Sequence, residues 1–474
     1  MPRKISLVSR SMVPGIGWPL VPATGDRRQI ILSLIGQFEE SERLPEQEIR
    51  ARQLRQLGRL LAHARATVPF YRRRLQAVVI VDAARPTAEE WARLPRIDRH
   101  DIQAAGETLH STAVPRGHGR VSHIHTSGTT GRPVRVLRTG INSLFWSAFT
   151  LRDHLWHRRH LRGKLAAIRH AEKGADLYPQ GSRSRTWGPT NEVFETGPAV
   201  ALNINCTAAE QAEWLLRENP DYLITHPTIA YRLARYCLET GIRFGKLRQV
   251  LAISEAMRPG LRDLCRAAWG VGIADIYTGR DVGYMALTCP EHDHFHVQSE
   301  GVYLEVLDGD DRPAAPGEIG RVVVTPLHNF AMPLIRYEIG DYAEVGGPCP
   351  CGRNLPVIKR ILGRHQDMAT LPSGEKRWTL LSTGNIESFL KIAPIRQFQF
   401  VQKDLHTFEV CLVVERDLTD DEKTKICNWM REKLDHPFDV VFSFVDDIPC
   451  TKAGKYRDFI SEVADPGVAP EQER

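Results

Sequence analysis

The chain of 474 residues has no long apolar run, and its nearest mostly apolar stretch, Ile30–Ile35, is far too short to span a bilayer. Met1 to Val21 carries scattered charges and three prolines but no apolar centre of a secretion signal. A dominant charge sign is also missing: 63 basic residues face 57 acidic ones, a net +6 that is small for this length. No basic motif with interleaved aromatics is present, which argues against nucleic-acid binding. The nine cysteines are odd in number and unevenly spaced, and so large a chain needs no staples, so reduced thiols are expected rather than a disulfide framework. No internal repeat occurs. Together these absences lead to the expectation of a soluble, cytoplasmic protein with neither nucleic acid nor membrane as partner. What is present is globular: 42% hydrophobic and 25% charged residues, on a chain long enough for two or three domains.

Residues 1–40 read as an irregular arm. The first convincing helix is expected from about Pro45 to Val68, with Ile49, Leu54, Leu57, Leu61, Ala64 and Val68 at helical spacing. Arg120–His125 and Val134–Arg138 are strand candidates around a glycine loop. Further on, helices at Ala208–Arg217 and Ala230–Thr240 alternate with short strands at Tyr222–Thr225 and Gln249–Ile253, a pattern of α/β layers with largely parallel pairing. From Gly301 the texture turns to β, with strands at Val302–Val306 and Gly320–Thr325. After Arg364 a compact α+β unit is expected, with strands at about 396–403, 407–415 and 439–445 and a helix at about 419–434. The division is therefore an arm (1–40), a large α/β domain with a β-rich subdomain (41–364) and a small α+β domain (365–474), whose tail from Ala464 should fray.

Thr126-Ser-Gly-Thr-Thr-Gly131 puts four hydroxyls and two glycines into six residues, followed by Arg132 and Arg135. Glycines allow a tight turn that aims N–H groups at an anion, and hydroxyls add donors. A Walker A loop would need a Gly-Lys-Ser/Thr leading into a helix, and neither is here. On residue chemistry alone, a plain hairpin and an anion loop are equally good readings.

The string His125–Pro133 resembles the phosphate loop of the adenylate-forming superfamily of acyl-CoA synthetases, adenylation domains and luciferases. Four more segments resemble that family's motifs in the right order. Tyr277-Thr-Gly-Arg-Asp281 is similar to the segment whose aromatic stacks on adenine and whose carboxylate helps hold Mg²⁺, with Thr278 beside the nucleotide. Arg336–Asp341 looks like the segment whose aspartate takes the ribose hydroxyls, Ile361–Met368 like the hinge before a mobile C-terminal domain, and Pro449–Lys455 like the loop of the catalytic lysine. Pro69-Phe-Tyr71, Leu94–Asp101, Thr225-His-Pro-Thr228 and Ile253-Ser-Glu-Ala256 further resemble the phenylacetate-CoA ligase and capsule-biosynthesis-type subgroup. The resemblance spans roughly residues 45–460.

It implies an AMP-forming acid–thiol ligase that uses ATP and Mg²⁺. The nucleotide would lie on Thr126, Ser127, Gly128, Thr129, Thr130, Gly131, Ser254, Glu255, Ala256, Tyr277, Thr278, Asp341 and Arg364. Lys455 would bridge the substrate carboxylate and the α-phosphate, and Asp281 would hold Mg²⁺, a hard cation that prefers oxygen ligands. Cys289, Cys349 and Cys351 with one histidine would suit structural zinc, which relatives can carry; His296 is the choice, with His292 and His294 close behind. Trp146, His154, Trp156 and Arg169 hint at an aromatic or polar acid. A homodimer is compatible with the resemblance.

Three departures limit it. Gln366 replaces the first of two hinge aspartates, Arg280 stands where a small hydroxyl residue is common, and Ala369–Trp378 departs from the loop expected near a CoA tunnel. The acyl acceptor is therefore CoA or, alternatively, an amine, hydroxyl or other small nucleophile.

Overall fold

The computed structural model describes residues 11–22, 25–76, 78–82, 84–125, 134–172, 174–258, 260–364, 368–377, 383–446, 448 and 457–463. The chain divides into two compact units. The first comprises Met1–Leu165, Arg183–Val200 and Ala274–Ile361; the second comprises Ala166–Ser182, Ala201–Ile273 and Leu362–Arg474. A break falls at 361/362, and residues 166–182 and 201–273 are grouped with the C-terminal part.

The first unit opens with a departure from expectation: residues Arg27–Ser41, read as the end of an irregular arm, form a helix. Its start is a capping box, in which Asp26 accepts from the Gln29 N–H at 2.8 Å and Gln29 accepts from the Asp26 N–H at 3.2 Å. Ile31, Leu34, Ile35 and Phe38 then face inward at helical spacing. The expected helix follows at Glu46–Thr67, with Pro45 as its N-cap and Ile49, Leu57, Leu60, Leu61 and Ala64 buried.

The helix Gly140–Trp156 runs through this core, and Phe149 on it stacks on Phe38 with centroids 4.8 Å apart. Arg152 on the same helix is buried between Glu42 at 3.0 Å and Glu300 at 2.9 Å. Removing one partner of such a triad would strand a desolvated charge, so it fixes how the helices meet. Strands of this unit lie in the order Val302–Leu307, Ile319–Pro326, Tyr337–Val345, Val357–Arg364, Phe295–Val297, Gly283–Thr288 and Gly272–Gly279. The first three form an antiparallel meander. This is the β-rich part read from residue 301 onward.

In the second unit, Tyr222–Thr225 and Gln249–Ile253 pair in parallel across the helix Pro227–Thr240, a right-sized βαβ crossover. Further along the chain, a four-stranded sheet has the order Asp439–Phe444, Thr407–Val414, Ile395–Gln402 and Phe459–Ser461. Thr407–Val414 is antiparallel to Ile395–Gln402, and both outer pairings are parallel. The helix Asp420–Leu434 closes this core with Ile426, Met430 and Leu434 against Phe389, Phe400 and Phe408. The fold class is thus α/β with a β-rich part and a C-terminal α+β sheet, as expected. No disulfide links the eight described cysteines, and no described helix is long and apolar enough to cross a membrane.

Candidate active site and metal cluster

Both strand candidates beside the phosphate-loop string form, and they pair with each other. Ser122–His125 runs antiparallel to Arg135–Arg138, with His125 opposite Arg135 and Ser122 opposite Arg138. The loop residues Thr126, Ser127, Gly128, Thr129, Thr130 and Gly131 lie outside the described residues, as do Lys455, Gln366 and the tail from Ala464; Arg364 ends the strand Val357–Arg364. The hairpin base is anchored from behind, because the Asn329 amide donates to the Leu137 carbonyl at 2.9 Å.

Arg138, which ends that hairpin, was not among the residues singled out from sequence. It borders a cleft with Asn142, Trp146, Phe149, Asp281 and Tyr284. Its guanidinium donates to the Arg280 carbonyl and lies 5.3 Å from the Trp146 ring centroid. Burial pushes its pKa down to about 10, and the Asp281 carboxylate opposes that shift, so it stays cationic at neutral pH. Trp146 in turn meets Tyr284 edge-on at 4.7 Å. The cleft, of about 40 Å³, thus has aromatic walls with one cation and one carboxylate at its border.

Of the four side chains taken as hints to the acid, only Trp146 lines this cleft. Trp156 instead packs on the His296 ring, and His154 packs edge-on against Trp187. Arg169 ends the strand Leu165–Arg169 with its side chain exposed. Trp146 and Trp156, ten apart on the helix Gly140–Trp156, lie on different faces and turns.

Tyr277 and Asp341, 64 residues apart, converge: the phenol donates to the Asp341 carboxylate at 2.8 Å. A register shift between Tyr277 and Thr278 in the pairing with Gly283–Thr288 turns the strand there. Arg336 starts the strand that carries Asp341 from a left-handed conformation, φ 50°, and is held there by Glu305 at 3.1 Å and the Leu94 carbonyl at 2.7 Å.

In the second unit, Ser254 also has a left-handed backbone, φ 70°, and both Ser254 and Ala256 are exposed. Glu255 turns inward, accepting from the Thr228 N–H at 3.1 Å and its hydroxyl at 2.7 Å, with His226 Nδ1 at 3.4 Å. Burial raises its pKa, but the His226 and Thr228 contacts outweigh it and hold the carboxyl below its usual range. Glu255 therefore caps the helix Pro227–Thr240, so its carboxylate serves the loop's shape.

The cysteine and histidine candidates do come together. The ligand atoms of Cys289, His296, Cys349 and Cys351 all lie within 4.8 Å of one another. Cys289 Sγ is 3.9 Å from Cys349 Sγ, and Cys351 Sγ is 3.3 Å from His296 Nε2. Tetrahedral zinc with Zn–S bonds of ~2.3 Å would space its thiolates by roughly 3.8 Å. His296 Nδ1 faces the Leu355 carbonyl at 3.5 Å, which leaves Nε2 directed at the cluster. His292 and His294 are not part of it.

Burial pushes the Cys349 thiol up to about 12 and raises Cys289. Cys351 is raised by burial too, but donors from Arg353 and the neighbouring thiols bring it below its ordinary value. Three thiols so close cannot all ionise without a cation, and a dication would satisfy them together.

The chain is similar to several known proteins. Residues 375–462 match the CapK C-terminal domain. The chain is 28% identical over 341 residues to a phenylacetate-coenzyme A ligase of Thermus thermophilus, covering 69% of this chain and 73% of that protein. It is 26% identical over 254 residues to protein CapK of Staphylococcus aureus, covering 52% of this chain and 53% of that one. Among solved structures, 2-hydroxyisobutyryl-CoA ligase in its postadenylation state, with an acyl-AMP bound, aligns with a TM-score of 0.69 at 19% identity over 94% of both chains. That last likeness speaks for the fold.

Proposed function

The chain belongs to the adenylate-forming superfamily, in the subgroup of phenylacetate-CoA ligases and CapK-type proteins, and from that premise we propose that it activates an aryl or acyl carboxylic acid with ATP and passes the acyl group to CoA. It is an AMP-forming ligase. In the first step a carboxylate oxygen bonds to the α-phosphorus as the bond to the β-phosphate oxygen breaks, and pyrophosphate leaves. In the second the thiol sulfur attacks the acyl carbon, AMP departs and the thiol gives up its proton.

The observation that carries the reading is the meeting of Tyr277 and Asp341 at 2.8 Å from two of the five ordered motifs. Asp341 has acceptor capacity for both ribose hydroxyls, and the bond from Tyr277 orients its carboxylate. The Tyr277 ring supplies the face for adenine, with Thr278 beside the nucleotide, and the resemblance assigns Ser254, Glu255 and Ala256 to nucleotide binding as well. The loop from Thr126 to Gly131 cradles the phosphates, Arg364 contributes a cation, and Lys455 bridges the two reacting anions. Catalysis of this kind is positioning plus charge stabilisation.

Asp281 would hold Mg²⁺, which supplies positive charge to the phosphate oxygens. Cys289, His296, Cys349 and Cys351 would hold Zn²⁺ as a structural cross-link, a donor set their convergence suits. Residues 365–474 would act as the mobile lid that delivers Lys455. The acid's carboxylate would lie beside Asp281 at the cleft that Arg138, Trp146 and Tyr284 border, which at about 40 Å³ must widen to admit the rest of the acid.

One observation favours a second reading of the acceptor. The C-terminal match is to a CapK domain, and it begins inside the stretch Ala369–Trp378 that departs from the CoA-ligase pattern. Transfer to an amine, hydroxyl or other small nucleophile is therefore the alternative.

Acid-dependent ATP–pyrophosphate exchange across a panel of aryl and aliphatic acids tests the first step. Exchange with at least one acid, lost in Lys455→Ala, is the expected result. No exchange with any acid would overturn the reading. CoA consumption in the same samples then decides the acceptor.

A further inference from the structure

Asp458 follows Lys455 by three positions, and within the second unit it meets Arg258, whose guanidinium donates to the Asp458 carboxylate. The pair is mostly sheltered, with the two side chains 14% and 24% exposed. Both partners are fixed by neighbours. The Arg258 guanidinium lies 5.1 Å from the centroid of Tyr231, on the helix Pro227–Thr240. Arg258 also ends the loop that starts at left-handed Ser254 and is pinned to that same helix through Glu255 and Thr228. On the other side, the Phe400 N–H donates to the Asp458 carbonyl at 2.9 Å, and the Gln399 amide donates to the Arg457 carbonyl at 2.8 Å. Phe459, the next residue, then pairs with Phe400 in the sheet.

The chain thus spends a sheltered arginine and a sheltered aspartate on joining two segments that the reaction needs together. One carries Ser254–Ala256 and the other follows Lys455. A second contact reaches from the same helix, Arg235 to Glu415 at 3.4 Å, but Glu415 is half exposed and contributes less.

We propose that Arg258–Asp458 is a positioning latch that holds Arg457–Phe459, the stretch next after Lys455, against the Ser254–Ala256 loop for acid activation. The proposal rests on the adenylating function given above. Neither residue touches the reacting atoms; they act through Lys455. The latch matters because a lysine misplaced by about 1 Å loses on the order of 10²-fold in rate. It biases the arrangement in which activation occurs, so its loss should lower turnover of that step and spare nucleotide affinity.

Charge reversal tests this on the full chain. ATP–pyrophosphate exchange is measured with an acid the wild type uses, for Arg258→Glu, Asp458→Arg and the double variant, alongside thermal unfolding. The expected result is a ~10- to 100-fold fall in kcat for each single variant, with KM for ATP within about twofold. The swapped pair should recover most of the loss. Arg258→Gln takes the place of Arg258→Glu if the reversal lowers folding stability. Single variants that exchange like wild type would overturn the latch and leave the adenylating function standing. So would a well-folded double variant no better than the worse single one. A wild type that exchanges with no acid would take both down.

Discussion

His296 shows what a residue-scale reading can and cannot reach. Cys289, Cys349 and Cys351 were legible as candidate zinc ligands because soft donors sit in two short segments and relatives of this type can carry zinc there, although Cys-x-Cys spacing by itself is a weak signal. The choice among His292, His294 and His296 was not forced by spacing, since alternate residues in an extended segment share a face. The partner loop decides it: Cys351 Sγ and the Leu355 carbonyl approach His296 from opposite sides of its ring. Elemental analysis should therefore find about one zinc per chain in wild type and in His294→Ala. Cys349→Ser with Cys351→Ser, or His296→Ala, should lose it; metal retained in these variants would exclude the cluster. Arg138 was missed for the opposite reason. One arginine among many dispersed along the chain carries no signal until burial and the nearness of Asp281 mark it.

At the scale of elements, three of the four strands of the C-terminal sheet and the helix Asp420–Leu434 were read almost to the residue because their alternation and caps are clean. The short strand Phe459–Ser461 and the helix Thr383–Leu390 were not read. Thr407–Val414 alternates inward Phe408, Val410 and Leu412 with outward Glu409 and Cys411, and Thr419 with Glu422 forms a capping box. The helix Gly140–Trp156 was not read, because its buried residues fall on nearly every side and blur the period. The helix Arg27–Ser41 was hidden by its neighbourhood of prolines and glycines, although Asp26 and Gln29 mark its start.

The Asp420–Leu434 cap makes an energetic prediction. Thr419→Ala should lower stability by about 1 kcal/mol in urea unfolding followed by circular dichroism. The Arg416 guanidinium, then the Thr419 N–H, hold the Glu422 carboxyl at about 2. Its folded value lies below the ordinary 4.5, so its contribution is present above pH 4.5 and fades as pH falls toward 2. Glu422→Gln should accordingly flatten the acid loss of stability between those values, and an unchanged acid limb would contradict the assignment.

At the scale of the molecule, five short motifs in order, rather than any one of them, made the chain legible. Each alone is a turn, a strand end or a surface loop. The α/β class and the parallel crossover Tyr222–Ile253 followed from alternation, and so did the β-rich part after residue 301. The grouping of residues 166–182 and 201–273 with the C-terminal part did not, because packing between segments distant in sequence leaves no local trace. The cleft beside Asp281 was hidden for the same reason, since it draws on residues from 138 to 329.

The central claim is attack of a carboxylate on the α-phosphorus, and isotope transfer tests it most directly. An acid that supports exchange is supplied with heavy oxygen in its carboxylate, and the AMP and pyrophosphate released after turnover are examined by mass spectrometry. The account predicts heavy oxygen in AMP and none in pyrophosphate. Label in inorganic phosphate with ADP as the nucleotide product, or no label in any phosphate, would contradict it.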